Sequence, residues 1–205
     1  MIKYAVFDWD GTIAETYPVI VGAYRYVFEK LGMKAPSEAE IKDVIGRVQN
    51  KDMFAYFFDE AKIAEAKKLY YDYIEKFHTK NLKPMRGAKE LLDFCVANHI
   101  QPLLMTNKRT KYIREELKIL GFERYFSKIV AAGELSQDKP HQVACDALFG
   151  GNVPPASEIV VIGDGKADVE VAKCYGARSI IYQNMVQGDY NISQLIDAID
   201  IIKGK

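Results

Sequence analysis

Two carboxylates directly follow an apolar segment near the start of the chain. Residues 4–7 have the apolar and β-branched character of a buried strand, and Asp8, Asp10 and Gly11 come after them. Alternation along a strand would place Asp8 and Asp10 on one side and turn Trp9 into the core. Carboxylates at the end of a buried strand are unfavourable unless a cation or hydrogen-bond donors hold them. A divalent metal is the simplest such holder, and the alternative is a turn that Asp8 caps and Asp10 opens.

Polar side chains also follow later apolar segments that we predict to be strands. They are Thr106 and Asn107, Lys139, and Asp164. Parallel strands carry their carboxyl ends on one edge of a sheet, where open α/β sheets bind ligands, so these side chains can converge with Asp8 and Asp10. Taken singly, they also fit helix caps, a solvated loop lysine and a turn aspartate. Their common position at strand ends favours a functional site.

The residue types at this edge suit a phosphoryl group held beside a hard cation. Three carboxylates, Asp8, Asp10 and Asp164, favour an oxygen-preferring cation such as Mg²⁺. The chain has only three histidines, which argues against a zinc centre. One lysine, one hydroxyl and several loop amides suit phosphoryl oxygens. A carboxylate can also act as the nucleophile and form an aspartyl-phosphate, while the cation and Lys139 offset the repulsion between the two anions.

The elements that would carry these residues fall into two groups. Residues 17–82 show helical spacing and no convincing strand, whereas the rest of the chain alternates short apolar segments with helical ones. That alternation predicts an α/β fold, a Rossmann-like parallel sheet with helices on both faces. We therefore expect a core domain formed by residues 1–15 and 83–205, and an inserted all-α cap formed by residues 16–82.

Local signals predict where several elements begin and end. Ser37, with Glu40 three residues later, is a capping-box pattern that predicts the start of a helix. The strand before Thr106 is expected to end at residue 105, and Pro140 is expected to begin a helix. The last periodic segment, residues 192–202, predicts a C-terminal helix.

Composition and charge restrict the partners. Lys plus Arg and Asp plus Glu both number 28 among the 205 residues, so the formal net charge is zero, and we expect neither a nucleic acid polymer nor a membrane as partner. Cys95, Cys145 and Cys174 are far apart and fit buried thiols in a reducing cytosol. The N-terminus shows no cleavable signal pattern and no segment has the length of a membrane span, so we expect a soluble cytoplasmic protein.

Four short motifs follow one another along the chain, each after a predicted strand. They are Asp8-Trp9-Asp10-Gly11-Thr12 (DxDGT), Met105-Thr106-Asn107-Lys108, Lys139-Pro140, and Gly163-Asp164-Gly165-Lys166-Ala167-Asp168 (GDxxxD). Together they resemble the four motifs of the haloacid dehalogenase-like (HAD) superfamily. The helical segment between the first two motifs is similar to the cap of its phosphoglycolate-phosphatase-like branch. The resemblance covers nearly the whole chain and implies a Mg²⁺-dependent phosphatase.

The resemblance also implies which residues carry out the reaction. Asp8 would be the nucleophile that accepts the phosphoryl group, and Asp10 would protonate the leaving alcohol and then activate the hydrolytic water. The metal would be held by the Asp8 side chain, the backbone carbonyl of Asp10 and the Asp164 side chain. An acid at position 10 argues for a phosphatase, because true dehalogenases of this fold lack one there.

Other matching residues would hold the phosphoryl group. Thr106, Asn107 and Lys139 would bind its oxygens, and Asp168 would orient Lys139 or metal-bound water. Some positions depart from the family pattern. They are Gly165, Ala167, Gln142 and Arg86, where relatives often have Ser, Asn, Pro and Pro. The first two departures remove polar groups near the metal and bear on metal affinity or rate.

The loop between two predicted cap helices, from Gly46 to Asn50, is the expected point of contact with the rest of the substrate. Arg47 in this loop would bind a carboxylate or a second phosphate, or it is a solvated arginine after a helix end. Arg86, near the hinge, is a second and weaker candidate. Phosphoglycolate, a nucleotide monophosphate, pyrophosphate and a sugar phosphate all remain open as substrates, and the sequence predicts no oligomeric state.

Two other functions fit parts of this pattern. A phosphomutase resembling β-phosphoglucomutase would use the same nucleophile but would keep the phosphate on a sugar product. A non-catalytic, receiver-like phospho-binding module also places acidic residues, Thr and Lys at sheet ends. Receiver domains, however, lack a large helical insertion after the first strand, which this chain is predicted to have.

Overall fold

The protein is built around a six-stranded sheet in which every strand is parallel to its neighbours. The computed structural model describes residues 1–48, 50–183 and 185–204, without the side chains of residues 50–52. The strands are β1 (Tyr4–Phe7), β2 (Gln101–Arg109), β3 (Lys128–Ala132), β4 (Ile159–Gly163), β5 (Arg178–Tyr182) and β6 (Tyr190–Ile192). They lie in the order β3-β2-β1-β4-β5-β6. The predicted α/β fold with a parallel sheet is confirmed.

Helices connect most of these strands, and a last helix follows β6. They are α1 (Tyr17–Lys30), α2 (Glu38–Arg47), α3 (Asn50–Phe57), α4 (Glu60–Phe77), α5 (Ala88–Ala97), α6 (Thr110–Leu120), α7 (Gln142–Leu148), α8 (Lys166–Tyr175) and α9 (Ala198–Ile202). In β1, Ala5 and Phe7 face an apolar cluster with α5, α6 and α9, whereas Val6 faces a second cluster with α7 and α8. Side-chain alternation therefore buries both faces of the sheet.

The first four helices pack around an apolar cluster of their own. Aromatic rings fill much of it, and the rings of Tyr24 and Tyr70 lie 5.0 Å apart between centroids. The capping box of Ser37 and Glu40 is present at the start of α2, as predicted. The insertion leaves and rejoins the sheet side by side, because the N–H of Glu15 donates to the carbonyl of Lys83 at 3.0 Å. The helical content predicted between residues 17 and 82 is thus present.

The first strand ends at Phe7, but the side-chain alternation predicted through Asp10 continues beyond it. The N–H of Asp8 still donates to the carbonyl of Ile162 on β4 at 2.9 Å, and only the N–H groups of Thr12, Ile13 and Ala14 turn back to the carbonyl of Trp9. Gly11 has a φ of 78°, a conformation that glycine adopts without steric cost. Trp9 packs in the same apolar cluster as Ala5 and Phe7, as predicted, and the turn begins only at Gly11, after Asp8 and Asp10.

Two element ends near the later motifs also differ from prediction. β2 continues beyond residue 105 to Arg109, because Thr106 and Arg109 both pair with β3 across an irregularity in register. The helix expected at Pro140 begins two residues later, since the His141 ring accepts a hydrogen bond from the N–H of Val143 and caps α7.

The predicted C-terminal helix over residues 192–202 is wrong in its first part. Ile192 instead ends β6, which pairs with β5, and a short 3-10 turn precedes α9. Leu195 lies in the 3-10 turn and Ala198 begins α9, and both are buried against the sheet face that α5 covers. Their helix-like spacing therefore comes from core packing of two short elements. Among all described helices, none is long and apolar enough to cross a membrane.

Candidate active site

Lys139 lies at the centre of the site and contacts two carboxylates. Its ammonium is 2.7 Å from Asp8 Oδ1 and 2.5 Å from Asp168 Oδ1, and it also donates to the carbonyl of Met105 at 3.1 Å. The side chain is only 4% exposed. Because an ammonium has three donors and all three are used, the position of Lys139 is fixed. The loop before α7 thus brings Lys139 to the end of β1, to Met105 on β2 and to the first turn of α8.

Asp168, in the first turn of α8, joins Lys139 to the loop after β4. Its Oδ1 accepts from Lys139, and its Oδ2 accepts from the N–H groups of Asp164 and Gly165 at 3.1 and 3.0 Å. Gly163 permits this approach, because a Cβ there would lie 1.9 Å from Asp168 Cγ. Both oxygens of Asp168 are occupied, an arrangement that suits support of Lys139 better than metal ligation.

Asp164 is held by a residue from the first inserted helix. The hydroxyl of Tyr17, at the start of α1, donates to Asp164 Oδ2 at 2.6 Å. Both side chains are buried. Burial and the neighbouring Asp164 raise the pKa of Tyr17, so its hydroxyl stays a donor. This contact fixes one oxygen of Asp164 and leaves the other directed elsewhere.

The carboxylates of this edge suit a hard cation. Asp8, Asp164 and Asp168 each offer an oxygen, and these oxygens lie within 4.8 Å of one another. In the described part of the chain, Oδ2 of Asp8 and Oδ1 of Asp164 accept no hydrogen bond, whereas Asp168 is fully engaged. Two free carboxylate oxygens at a buried position are the donor type that Mg²⁺ prefers. The residues present therefore fit the predicted cation.

The electrostatics of the cluster reflect negative charge gathered away from water. Burial raises the pKa of Asp8 to about 7, with Asp168 and Asp10 adding to the rise and Lys139 opposing it. Burial, Asp8 and Asp168 also raise the pKa of Asp164. Burial disfavours the charge of Lys139, but Asp168 and Asp8 outweigh it and raise the pKa of the lysine. A bound cation would relieve the repulsion among these carboxylates.

Asp10 belongs to a second, separate group of charges. The ammonium of Lys108 lies 2.6 Å from Asp10 Oδ1 and 2.9 Å from Glu116 Oε1. Glu116, on α6, also accepts from the indole N–H of Trp9 at 2.6 Å. Burial raises the pKa of Glu116 and Lys108 opposes that rise. Trp9 is fully buried in the core, as predicted, and in addition it donates a hydrogen bond there.

Thr106 and Asn107 stand on β2 beside the same cavity as Asp8. Thr106 is buried, and its Oγ1 accepts from the N–H of Lys108 at 3.1 Å. Asn107 is partly exposed to the cavity. The structure therefore brings both predicted phosphate-binding residues to the edge that carries Asp8 and Lys139.

A cavity of about 960 Å³ opens between this edge and the inserted helices. Its floor carries the polar side chains Asp8, Asp10, Asp164 and Lys139, and its opposite wall includes the aromatic side chains Tyr24, Phe54, Tyr70 and Tyr71. A phosphate at the floor would therefore have its attached group facing the aromatic wall.

Arg47 and Arg86 do not reach this cavity in the structure. Arg47 is exposed and pairs with Asp43 on α2, although its neighbours Gly46 and Val48 line the cavity. Arg86 is exposed and is not among the described lining residues. Of the predicted contact loop, Gln49 and the Asn50 side chain lie outside what the structure describes.

Three residues of the site were not singled out from the sequence, namely Tyr17, Lys108 and Glu116. Lys108 belongs to the second motif, so a signal for it was available. Glu116 occupies a place on the apolar side of α6 between Ile113 and Leu117, and a charged residue on such a side indicates a buried partner. Tyr17 carries no local signal, because it fits an ordinary helix start.

The chain matches a known protein family over most of its length. The family described as haloacid dehalogenase-like hydrolase matches residues 5–182. The chain belongs to the haloacid dehalogenase-like hydrolases. The predicted superfamily and the prediction of a hydrolase are thereby confirmed, and a non-catalytic receiver-like module does not agree with this membership.

Relatives of this haloacid dehalogenase-like hydrolase carry different names. It is 30% identical over 189 residues to a phosphoglycolate phosphatase of Vibrio parahaemolyticus, covering 87% of this chain and 82% of the relative. It is 28% identical over 213 residues to a protein of Caldanaerobacter subterraneus that is provisionally named as a pyrophosphatase, covering 99% and 96%. The fold is similar to that of a haloacid dehalogenase-like hydrolase from Streptococcus pneumoniae, with a TM-score of 0.84, 20% identity and 98% of each chain covered.

Proposed function

We propose that this hydrolase is a Mg²⁺-dependent phosphatase that cleaves a small-molecule phosphate monoester through an aspartyl-phosphate. The observation that carries the proposal is the contact of buried Lys139 with both Asp8 and Asp168 at the floor of the cavity. A cation beside a carboxylate nucleophile reduces its repulsion of an anionic phosphate. The phosphoglycolate phosphatase from Vibrio parahaemolyticus, as a relative, supports the same reaction class.

In the first step, a carboxylate oxygen of Asp8 attacks the phosphorus and forms an acyl-phosphate bond. The bond between phosphorus and the leaving oxygen breaks, and that oxygen keeps the electron pair and takes the proton of a protonated Asp10. Asp10 suits this role because it lines the cavity while Lys108 holds its Oδ1 at 2.6 Å. The other oxygen of Asp10 is then available to the leaving group.

In the second step, water attacks the phosphorus of the aspartyl-phosphate. Asp10, now ionised, takes the proton of that water, and the bond between phosphorus and the Asp8 oxygen breaks. Inorganic phosphate leaves, Asp8 is again a carboxylate, and Asp10 again carries a proton. Each group therefore returns to its starting state.

The proposed Mg²⁺ ligands are the side chains of Asp8 and Asp164 and the backbone carbonyl of Asp10. Bound there, the cation would supply positive charge that offsets the charge of the phosphoryl group. Asp168 keeps Lys139 in place, and the hydroxyl of Tyr17 orients Asp164. These supporting contacts determine where the ligand oxygens point.

The phosphoryl oxygens would be bound by Thr106, Asn107 and Lys139, which surround Asp8 at the cavity floor. A hydroxyl, an amide and an ammonium together offer donors from several directions. Donors placed around the phosphoryl group stabilise the charge that spreads over its oxygens during transfer.

We further propose that residues 16–82 form a cap over a core made of residues 1–15 and 83–205. The cavity between α1–α4 and the sheet edge supports this division, as do the adjacent chain crossings at Glu15 and Lys83. Movement about these crossings would admit substrate and exclude water during transfer. The cap would then select the leaving group through the cavity wall.

The substrate is proposed as a small phosphate monoester, the class to which the phosphoglycolate in the name of the Vibrio parahaemolyticus relative belongs. The pyrophosphate in the name of the Caldanaerobacter subterraneus relative is an anhydride, so no individual substrate is proposed. A cytoplasmic location is proposed as well, since Cys95, Cys145 and Cys174 are all free thiols. The balanced charge supports a partner that is neither a nucleic acid polymer nor a membrane surface.

The test compares phosphate release from 4-nitrophenyl phosphate by the wild type and by Asp8→Asn, with Mg²⁺ and with EDTA. We expect turnover only for the wild type with Mg²⁺, and an acid-stable or trapped phosphoryl group on position 8 only when Asp8 is present. Asp43→Asn, an exposed aspartate of α2, is the matched control and should keep wild-type turnover. Equal turnover by Asp8→Asn and wild type would exclude the covalent mechanism.

A panel of metabolite phosphates then separates hydrolysis from phosphate transfer within a sugar. Free phosphate equal to the substrate consumed supports the phosphatase. A product that keeps its phosphate at a new position would instead support the phosphomutase alternative.

A further inference from the structure

Glu116 is a fully buried carboxylate that the proposed reaction does not use. Its Oε1 lies 2.9 Å from Lys108 Nζ and 3.0 Å from His78 Nδ1, and its Oε2 accepts from Trp9 Nε1 at 2.6 Å. Removing such a charge from water is unfavourable unless several partners compensate. An apolar residue at this position of α6 would fill the same space without needing three polar partners.

The three partners of Glu116 come from different parts of the fold. Trp9 stands between Asp8 and Asp10 in the first motif, and Lys108 is the last residue of the second motif. His78 directly follows α4, the last inserted helix, and its other ring nitrogen lies 3.2 Å from Glu115. Glu116 therefore contacts Trp9 beside Asp10, Lys108 near the end of β2, and His78 at the end of the last inserted helix.

Lys108 connects Glu116 to the reacting groups. Its ammonium lies between Glu116 and Asp10, and its side chain is 9% exposed. With one carboxylate fixed on the core side, the ammonium can occupy only a narrow range of positions, and Asp10 Oδ1 is held against it at 2.6 Å. The rotamer of Asp10, and the direction of its free oxygen, thus depend on where Glu116 holds Lys108.

We infer that Glu116 is a positioning residue, which acts through Lys108 to aim the carboxyl group of Asp10 at the leaving oxygen. The inference rests on the proposed function, in which Asp10 donates the proton to that oxygen. A merely structural role would give Glu116 an effect on folding alone. A positioning role predicts that loss of Glu116 lowers kcat/KM more for a substrate whose leaving group needs a proton than for one whose leaving group does not.

The experiment compares two substrates of almost the same shape, phenyl phosphate and 4-nitrophenyl phosphate. Phenolate is the more basic leaving group and needs the proton of Asp10, whereas 4-nitrophenolate needs it much less. The quantity measured is kcat/KM, which reports the steps up to release of the phenol and excludes the later hydrolysis of the aspartyl-phosphate. Folding of each variant is followed by circular dichroism.

For Glu116→Gln, we expect kcat/KM to fall about tenfold more with phenyl phosphate than with 4-nitrophenyl phosphate, as for loss of one aligned proton donor. Glu115→Gln is the matched control, because Glu115 is the neighbouring glutamate, is 57% exposed and has no contact with Lys108. Its two kcat/KM values should change equally and by less than about twofold. Equal losses on both substrates for Glu116→Gln, or no loss, would overturn the inference.

A double-mutant cycle tests whether the effect passes through Lys108 and remains informative if Glu116→Gln alone fails to fold. Lys108→Met with Glu116→Gln removes both buried charges together, which avoids an unpaired ion in the core. We expect this double variant to match Lys108→Met in kcat/KM for phenyl phosphate. A further loss on adding Glu116→Gln would show a route that bypasses Lys108 and would overturn the inference. If the wild type hydrolyses neither phosphate, the proposed function fails, and not this inference alone.

Discussion

The hydrogen bond from Tyr17 to Asp164 provides a test of the metal site that leaves every proposed ligand in place. Tyr17→Phe keeps the ring and removes only the hydroxyl, which donates to Asp164 Oδ2 at 2.6 Å in a buried setting. With that donor lost, Asp164 can rotate away from the direction in which its other oxygen faces the cation site. We expect a weaker affinity for Mg²⁺ with little change in the fold.

The magnitude follows from two independent generalisations that agree. A hydrogen bond to a charged group contributes about 1.5–3 kcal/mol, and each 1.4 kcal/mol corresponds to about tenfold in a dissociation constant. Loss of a partner that orients a metal-ligating carboxylate typically costs about 10–100-fold in metal affinity. The Kd for Mg²⁺ should therefore rise by about 10–100-fold in Tyr17→Phe.

Calorimetric titration of the metal-free protein with MgCl₂ measures this change directly. Tyr24→Phe is the matched control, because Tyr24 lies on the same helix α1, is buried, and its hydroxyl forms no hydrogen bond among the described residues. Its Kd should equal that of the wild type. A Tyr17→Phe variant whose Kd stays within about twofold of wild type would refute the reasoning that this bond aims Asp164.

Three further predictions concern the same site. Lys139→Met should abolish turnover and lower the free energy of unfolding, measured in urea, by about 3–5 kcal/mol, because Asp8 and Asp168 lose a buried partner. Lys3→Met, at an exposed ion pair, should leave that free energy almost unchanged. Mg²⁺ at about 100 times its Kd should raise the free energy of unfolding of the wild type by about 2.7 kcal/mol. Thermal-shift fluorimetry should show this as a rise in Tm of about 5–10 °C, and Asp164→Asn should show no such rise. Arg47→Ala should change KM by less than about twofold, since Arg47 pairs with Asp43 outside the cavity, and a much larger rise in KM would show that its guanidinium reaches substrate.

The sequence predicted those parts of the site that depend on short local patterns. Asp8, Lys139 and Asp164 each follow an apolar strand, and the rule that parallel strands end at one edge was enough to bring them together. Asp168, whose role the family resemblance implied, lies four residues after Asp164 in the first turn of α8, and its carboxylate accepts from the N–H groups of Asp164 and Gly165. Such contacts are determined over a few residues and are visible in a single sequence.

The contacts that escaped prediction join residues distant in sequence. The hydroxyl of Tyr17 meets Asp164 across 147 positions, and Trp9 meets Glu116 across 107. No local sequence pattern predicts either pair, because each is brought together by the packing of whole helices against the sheet. The same reason accounts for β6, which exists only because β5 offers it a partner. Arg47 is a different case, because its partner Asp43 lies four residues earlier on α2, and this local ion pair holds the guanidinium outside the cavity.

The three-residue strand β6 protects the sheet from association with other chains. The match to the family ends at residue 182, the last residue of β5, so β6 and the segment after it lie outside the matched range. Without them, Ile180 and Ile181 would form a bare, apolar strand edge, the kind of surface on which another chain can add a strand. β6 has only three residues and begins with the exposed Tyr190, so it offers little edge for a strand of another chain to pair with. Growth of the sheet from one molecule into the next is thereby stopped at this edge by the last part of the chain.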